Sequence, residues 1–106
     1  MLVSHSDPTF AMVPIFSRMN ALRAVGVPEL ASGVPDVDAL VATGADVLYL
    51  CAPNNPTGRL VPRETLARLL RDFDGHVILD EAYIEFAGPD ASHVPLLAAH
   101  PRLLLV

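Results

Sequence analysis

The chain has 106 residues, a net charge of −5 and 52% hydrophobic residues. That composition builds a core and excludes disorder, and the acidic balance without a basic cluster excludes nucleic-acid binding by phosphate neutralisation. No apolar run approaches the roughly 18 residues needed to cross a bilayer, and the N-terminus has no secretory pattern, so no membrane partner is expected. The one cysteine, Cys51, cannot form an internal disulfide and fits a reducing cytoplasm. All basic residues are arginines, so no lysine amine is present to attack a carbonyl.

In chain order, Leu2-Val3 reads as the tail of a short strand. Met12, Ile15, Phe16 and Met19 recur at helical spacing between Ala11 and Ala21. Leu22 to Leu30 reads as a strand weakened by Gly26 and Pro28. Asp36 caps a short helix with Val37, Leu40 and Val41 on one face, and Gly44 ends it. Asp46 to Cys51 is the clearest strand. Pro62 starts a helix whose stripe is Leu66, Leu69, Leu70 and Phe73, and Gly75 ends it. His76 to Leu79 is a second buried strand, Leu96-Leu97 lie on a short helix after Pro95, and Leu103 to Val106 is a last strand. Strands apolar on both faces, alternating with helices, predict a three-layer α/β fold: a mostly parallel sheet with helices on both faces. The chain opens on a very short strand and stops within an apolar one, so both ends read as cut from something longer, with a short natural chain as the alternative.

Ligands of open parallel sheets bind beyond the carboxyl ends of the strands. Two polar clusters fall there. Pro53-Asn54-Asn55-Pro56-Thr57-Gly58 follows the strand ending at Cys51, and Asp80-Glu81-Ala82-Tyr83 follows Val77-Ile78-Leu79. One crossover helix separates them, so both are expected on the same rim. The first has a purely structural reading, in which prolines fix φ, Gly58 permits positive φ and asparagines cap backbone groups. An Ala-Pro or Asn-Pro bond there could be cis. The rigidity exceeds what a turn needs and makes a platform for amide side chains. Asp80 either caps the loop through backbone N–H groups or meets a cation, since a carboxylate closing an apolar strand is costly unpaired. Tyr83 either packs at the rim or reaches the same pocket.

Other signals are weaker. Asp80-Glu81 after an apolar strand also suits Mg²⁺ and water in a nucleotide-binding site, but no phosphate-binding Gly-x-x-x-x-Gly-Lys loop accompanies it. Cys51 reads as a small buried thiol. No motif surrounds His5, His76, His93 or His100, and the histidines and carboxylates show no metal-ligand spacing. Arg63, Arg68 and Arg71 with Glu64 and Asp72 read as a solvated helix face, and Arg59 as a surface residue.

The strings "APNNPTG" and "ILDEAYIEF", about 25 residues apart, with "DPTF" near the start, resemble the fold-type I pyridoxal-phosphate aminotransferases of class I/II. Within them the match is to the histidinol-phosphate aminotransferase branch, and it runs through essentially the whole chain. The resemblance implies that residues 1–106 are a partial large, cofactor-binding domain, with no second domain. It implies pyridoxal 5′-phosphate as cofactor, a small-molecule amino donor and keto acceptor as substrates, and a homodimer as the assembly. Position by position, it makes Asp80 the partner of the pyridine nitrogen. Asn55 and Tyr83 become donors to the phenolic oxygen, and Phe10 the aromatic against the ring face. Val13 stands where this branch often has tyrosine. The glycine-rich phosphate-binding segment is expected before residue 1 and the Schiff-base lysine after residue 106. No catalytic residue is therefore assigned within the chain, and the isolated 106 residues are expected to be inactive. The rival reading is a non-catalytic α/β module for small-molecule binding or assembly.

Overall fold

A computed structural model describes all residues, Met1–Val106. Strands β1 (Leu2–Asp7), β2 (Arg23–Pro28), β3 (Val47–Cys51), β4 (His76–Asp80) and β5 (Leu103–Leu105) form one sheet in the order β2-β1-β3-β4-β5. Every neighbouring pair is parallel. Helices α1 (Met12–Met19), α2 (Val37–Ala42) and α3 (Arg63–Asp72) fill crossovers, and 3₁₀ turns at Ile84–Phe86, Pro89–Ala91 and Val94–Ala99 link β4 to β5.

Side chains alternate across a strand, so β3 and β4 each present two faces. Leu48, Leu50, Val77 and Leu79 point to one face and are essentially inaccessible. They pack with Leu40 of α2 and with Leu66 and Leu69 of α3 into the main core. The caps follow the sequence: Asp36 accepts from the Ala39 N–H at 3.1 Å, and Gly44 leaves α2 at φ 61°. The opposite face carries Val47, Tyr49 and Ile78. It forms an apolar cleft of about 320 Å³ with Phe10 and with Val13 and Phe16 of α1. Helices therefore stand on both faces as expected, but α1 covers its face only in part, and Leu104 there is half exposed.

Three local readings change. β1 is a full strand through Ser4, His5, Ser6 and Asp7, and it lies centrally between β2 and β3. Its middle is polar yet buried, which hid it from a hydrophobicity pattern. Helix α1 buries Val13 and Ser17, four residues apart, instead of the Met12, Ile15, Phe16 and Met19 stripe. Phe16 stands at the cleft and Met19 in solvent, because the helix packs chiefly along the edge strand β2. Gly75 does not end α3, which stops at Asp72 with Phe73 as its cap. Its role is close approach. A Cβ at Gly75 would lie 2.3 Å from the Asp46 carbonyl oxygen, which the next residue's N–H uses as its acceptor.

Candidate functional site

Register sets the site. Cys51 pairs with Asp80 across β3 and β4, so both polar clusters start from adjacent chain positions on one rim. The loop after Cys51 turns back at Gly58, φ 70°, and the Ala52–Pro53 and Asn55–Pro56 bonds are both cis. Asn55 and Tyr83 line one open cleft of about 420 Å³ with Pro53, Pro56, Leu60 and Phe86. The Tyr83 and Phe86 rings stand 6.3 Å apart at 44°.

Asp80 is half-buried at the end of β4. Its Oδ1 accepts from the Ala82 N–H at 2.9 Å, and its Oδ2 accepts from the Tyr49 hydroxyl. The loop-capping reading of Asp80 is thus correct for one oxygen. An ionised carboxylate offers about four acceptor positions, so it retains room for a further donor. Phe10 lines the other cleft, on the sheet face that carries Tyr49. The structure therefore pairs Asn55 with Tyr83 in one cleft. Phe10 stands in the second, whose wall residue Tyr49 is bonded to Asp80.

Sequence reasoning passed over Asn54, whose side chain makes three hydrogen bonds at the rim. It is buried, and its Nδ2 donates to the Pro8 carbonyl at 2.9 Å and to Thr57 Oγ1 at 3.0 Å. Its Oδ1 accepts from Thr9 Oγ1 at 2.9 Å. One amide thus ties Pro8-Thr9-Phe10 to the asparagine loop across 45 residues of sequence. The adjacent-asparagine pattern held the signal: one amide holds the loop and leaves the other free to face the cleft. The side-chain hydrogen bonds of the rim run through Asn54, Tyr49 and Asp80, not through Asn55 or Tyr83. Replacing Asn54 with alanine should cost about 1–2 kcal/mol, because three hydrogen bonds of a buried amide are lost while their half-buried or exposed partners, Thr9, Pro8 and Thr57, can turn to water. Urea denaturation measures this, and a loss under about 0.5 kcal/mol would remove Asn54 from the account.

The rival readings of single residues also resolve. Cys51 is buried, and its thiol donates to the Pro53 carbonyl at 3.2 Å. Burial pushes its pKa up, against a lowering contribution from the Asn55 N–H, so it is no activated nucleophile. Arg59 is exposed and donates to the Ser32 carbonyl at 2.5 Å. Arg68 and Arg71 pair with Asp38 and Asp72 on an exposed helix face. Glu81 turns away from the cleft: its carboxylate accepts from Ser92 Oγ, the His93 N–H and His93 Nδ1.

With this geometry in view, the comparisons decide the family. The family model described as "Aminotransferase class I and II" matches residues 2–106. The chain belongs to the class I and II aminotransferases. A histidinol-phosphate aminotransferase of Aeromonas hydrophila subsp. hydrophila is 42% identical over 102 residues, covering 92% of this chain and 28% of that protein. The crystal structure of the histidinol-phosphate aminotransferase from Clostridium acetobutylicum superposes with a TM-score of 0.89 at 24% identity, over 98% of this chain and 33% of that one. A Sinorhizobium meliloti histidinol-phosphate aminotransferase in complex with pyridoxal-5′-phosphate gives 0.81 at 24% identity, over 98% and 30%. These likenesses show the aminotransferase fold. The chain spans about three tenths of the length of the curated relatives it matches.

Proposed function

We propose that residues 1–106 act as part of the large domain of a pyridoxal-phosphate-dependent histidinol-phosphate transaminase. The activity would move an amino group from an amino donor to a keto acceptor. The observation that carries this reading is the shared rim: Asn55 and Tyr83 in one cleft beside the doubly held Asp80, in a chain matched to the family along its length. The names of the relatives favour histidinol phosphate as substrate. A homodimer in the cytoplasm is part of the same proposal, the compartment resting on the single buried thiol.

The residues present fit the cofactor. Asp80 is an acceptor with spare capacity, and Asn55 and Tyr83 both line one cleft. When bound, pyridoxal phosphate supplies an electron sink for the charge that develops at the substrate carbon. Asp80 would hold the proton on the pyridine nitrogen, because a nearby negative charge favours the charged partner. Asn55 and Tyr83 would donate to the phenolic oxygen and favour its ionised form. Phe10 would lie against the ring face. The chain contains no lysine, so these 106 residues alone would bind and orient but not transfer.

The test starts from the natural polypeptide, captured with an antibody to this segment. Its intact mass should be several times that of 106 residues. It should transaminate histidinol phosphate with at least about tenfold higher kcat/KM than phenylalanine or aspartate, a gap of about 1.4 kcal/mol. A mass matching 106 residues would favour the binding-module reading. Equal use of the three donors would overturn the substrate assignment, and amino transfer by the 106 residues alone would overturn the claim that they are inactive.

A further inference from the structure

The carboxylate at the centre of the rim is held by a residue from the neighbouring strand. In the parallel register Tyr49 lies opposite Ile78, and Cys51 lies opposite Asp80. Alternation puts all four side chains on one face of the sheet, and a tyrosine is long enough to reach its diagonal neighbour. The Tyr49 hydroxyl donates to Asp80 Oδ2, while the Ala82 N–H holds Oδ1 at 2.9 Å. Both oxygens are therefore pinned, from two different elements, and the carboxyl plane has one orientation.

The surroundings give Asp80 little else. The cleft beside Tyr49 is mostly apolar, and its two other side-chain donors, Ser17 and Asn20, are spent on the Val13 and Phe16 carbonyls of their own helix. Arginine is the only cationic side chain with a permanent charge in this chain, and no arginine forms an ion pair with Asp80. Burial, then the Asp80 hydrogen bond and charge, push the Tyr49 hydroxyl far above its ordinary range. It stays protonated and remains a donor at neutral pH. A donor fixed on the charged form of a carboxylate favours that form and limits its rotation.

We propose that Tyr49 is a positioning residue for Asp80, fixing one carboxylate oxygen so that the other electron pairs face the ring nitrogen of the cofactor. This rests on the reading of Asp80 as the ring-nitrogen partner, and the experiment separates the two. Pyridoxamine 5′-phosphate is the probe, since it binds without a covalent bond to the protein. Its dissociation constant and bound absorbance spectrum are measured in the full-length protein, its Tyr49→Phe and Asp80→Asn variants and the double variant. Thermal unfolding without probe is followed in parallel.

Tyr49→Phe keeps the ring in the cleft wall and removes only the hydroxyl. It should weaken probe binding by about 10–100-fold, as loss of an orienting outer partner does at metal centres, and shift the bound spectrum. The double variant should bind as Asp80→Asn does alone, because a residue acting through Asp80 has nothing left to orient. Unchanged binding by Tyr49→Phe, beside weakened binding by Asp80→Asn, overturns the positioning role and leaves the Asp80 reading standing. Additive losses in the double variant also overturn it, since they assign Tyr49 an effect of its own. Unchanged binding by Asp80→Asn overturns the Asp80 reading and the present inference together.

Discussion

Replacing Asp80 with asparagine in the full-length protein should lower kcat/KM for amino transfer by about 10²–10³-fold while leaving the fold intact. Asparagine has nearly the shape of aspartate, and its carbonyl oxygen can still accept from the Ala82 N–H. Little packing is at stake, because Asp80 lies at the half-exposed end of β4, beyond the tightly buried Leu79. What the substitution removes, on the proposed function, is the negative charge that would keep a proton on the pyridine nitrogen. The loss should therefore appear in the chemical step and in the bound cofactor's spectrum, with thermal unfolding without cofactor shifted by no more than a few degrees. Steady-state kinetics with histidinol phosphate, read beside calorimetry, checks both halves. Activity within tenfold of the unmodified protein would mean that Asp80 is a loop cap and no more.

The contrast between Asp80 and its neighbours explains what could be read from the sequence. The strands β3 and β4 are apolar on both faces, and a continuous apolar run bounded by turn residues is a strong signal. The loops after them stood out because six turn-forming residues and an acidic pair have no packing role at a strand end. Adjacency of the two loops followed from one intervening crossover. The strand β1 was hidden because Ser4, His5 and Ser6 are buried against polar expectation, and the Ser4 and Ser6 hydroxyls find no partner. The exposed side of α1 was misread because periodicity reports which residues share a face, not whether another element covers that face.

Partnerships across strands were the least legible. Tyr49 looks like any aromatic in a strand until the register places it diagonal to Asp80. Asn54 and Asn55 are chemically identical, and only the return of Pro8-Thr9 to the loop tells the clamp from the free amide. His93 has no motif, because its partner Glu81 lies twelve residues away across two 3₁₀ turns.

Removing that partner is the second large effect expected. Glu81→Ala should destabilise the protein by about 2–3 kcal/mol, because it leaves the buried His93 N–H and ring and the Ser92 hydroxyl without their acceptor. Glu81 and His93 side chains are 8% and 3% exposed. The carboxylate accepts from Ser92 Oγ at 2.8 Å, the His93 N–H at 2.7 Å and His93 Nδ1 at 2.9 Å. Burial alone would raise its pKa. The His93 N–H, the Ser92 hydroxyl and the His93 ring outweigh that, and the net shift is downward from 4.5. A depressed carboxylate contributes stability that is fully present above its unfolded value and is lost as pH falls through its folded value. Denaturant unfolding of the unmodified protein should therefore weaken below about pH 4.5, and the Glu81→Ala protein should show a shallower decline over the same range. The clasp also closes the segment that carries Tyr83 and Phe86 to the cleft, since Glu81 precedes both and His93 follows both. Hydrogen exchange over residues 82–92 should rise first in the variant, ahead of the core strands β3 and β4. A stability loss under about 1 kcal/mol, or exchange in that segment unchanged, would show that the 3₁₀ turns hold the Tyr83 wall without the clasp.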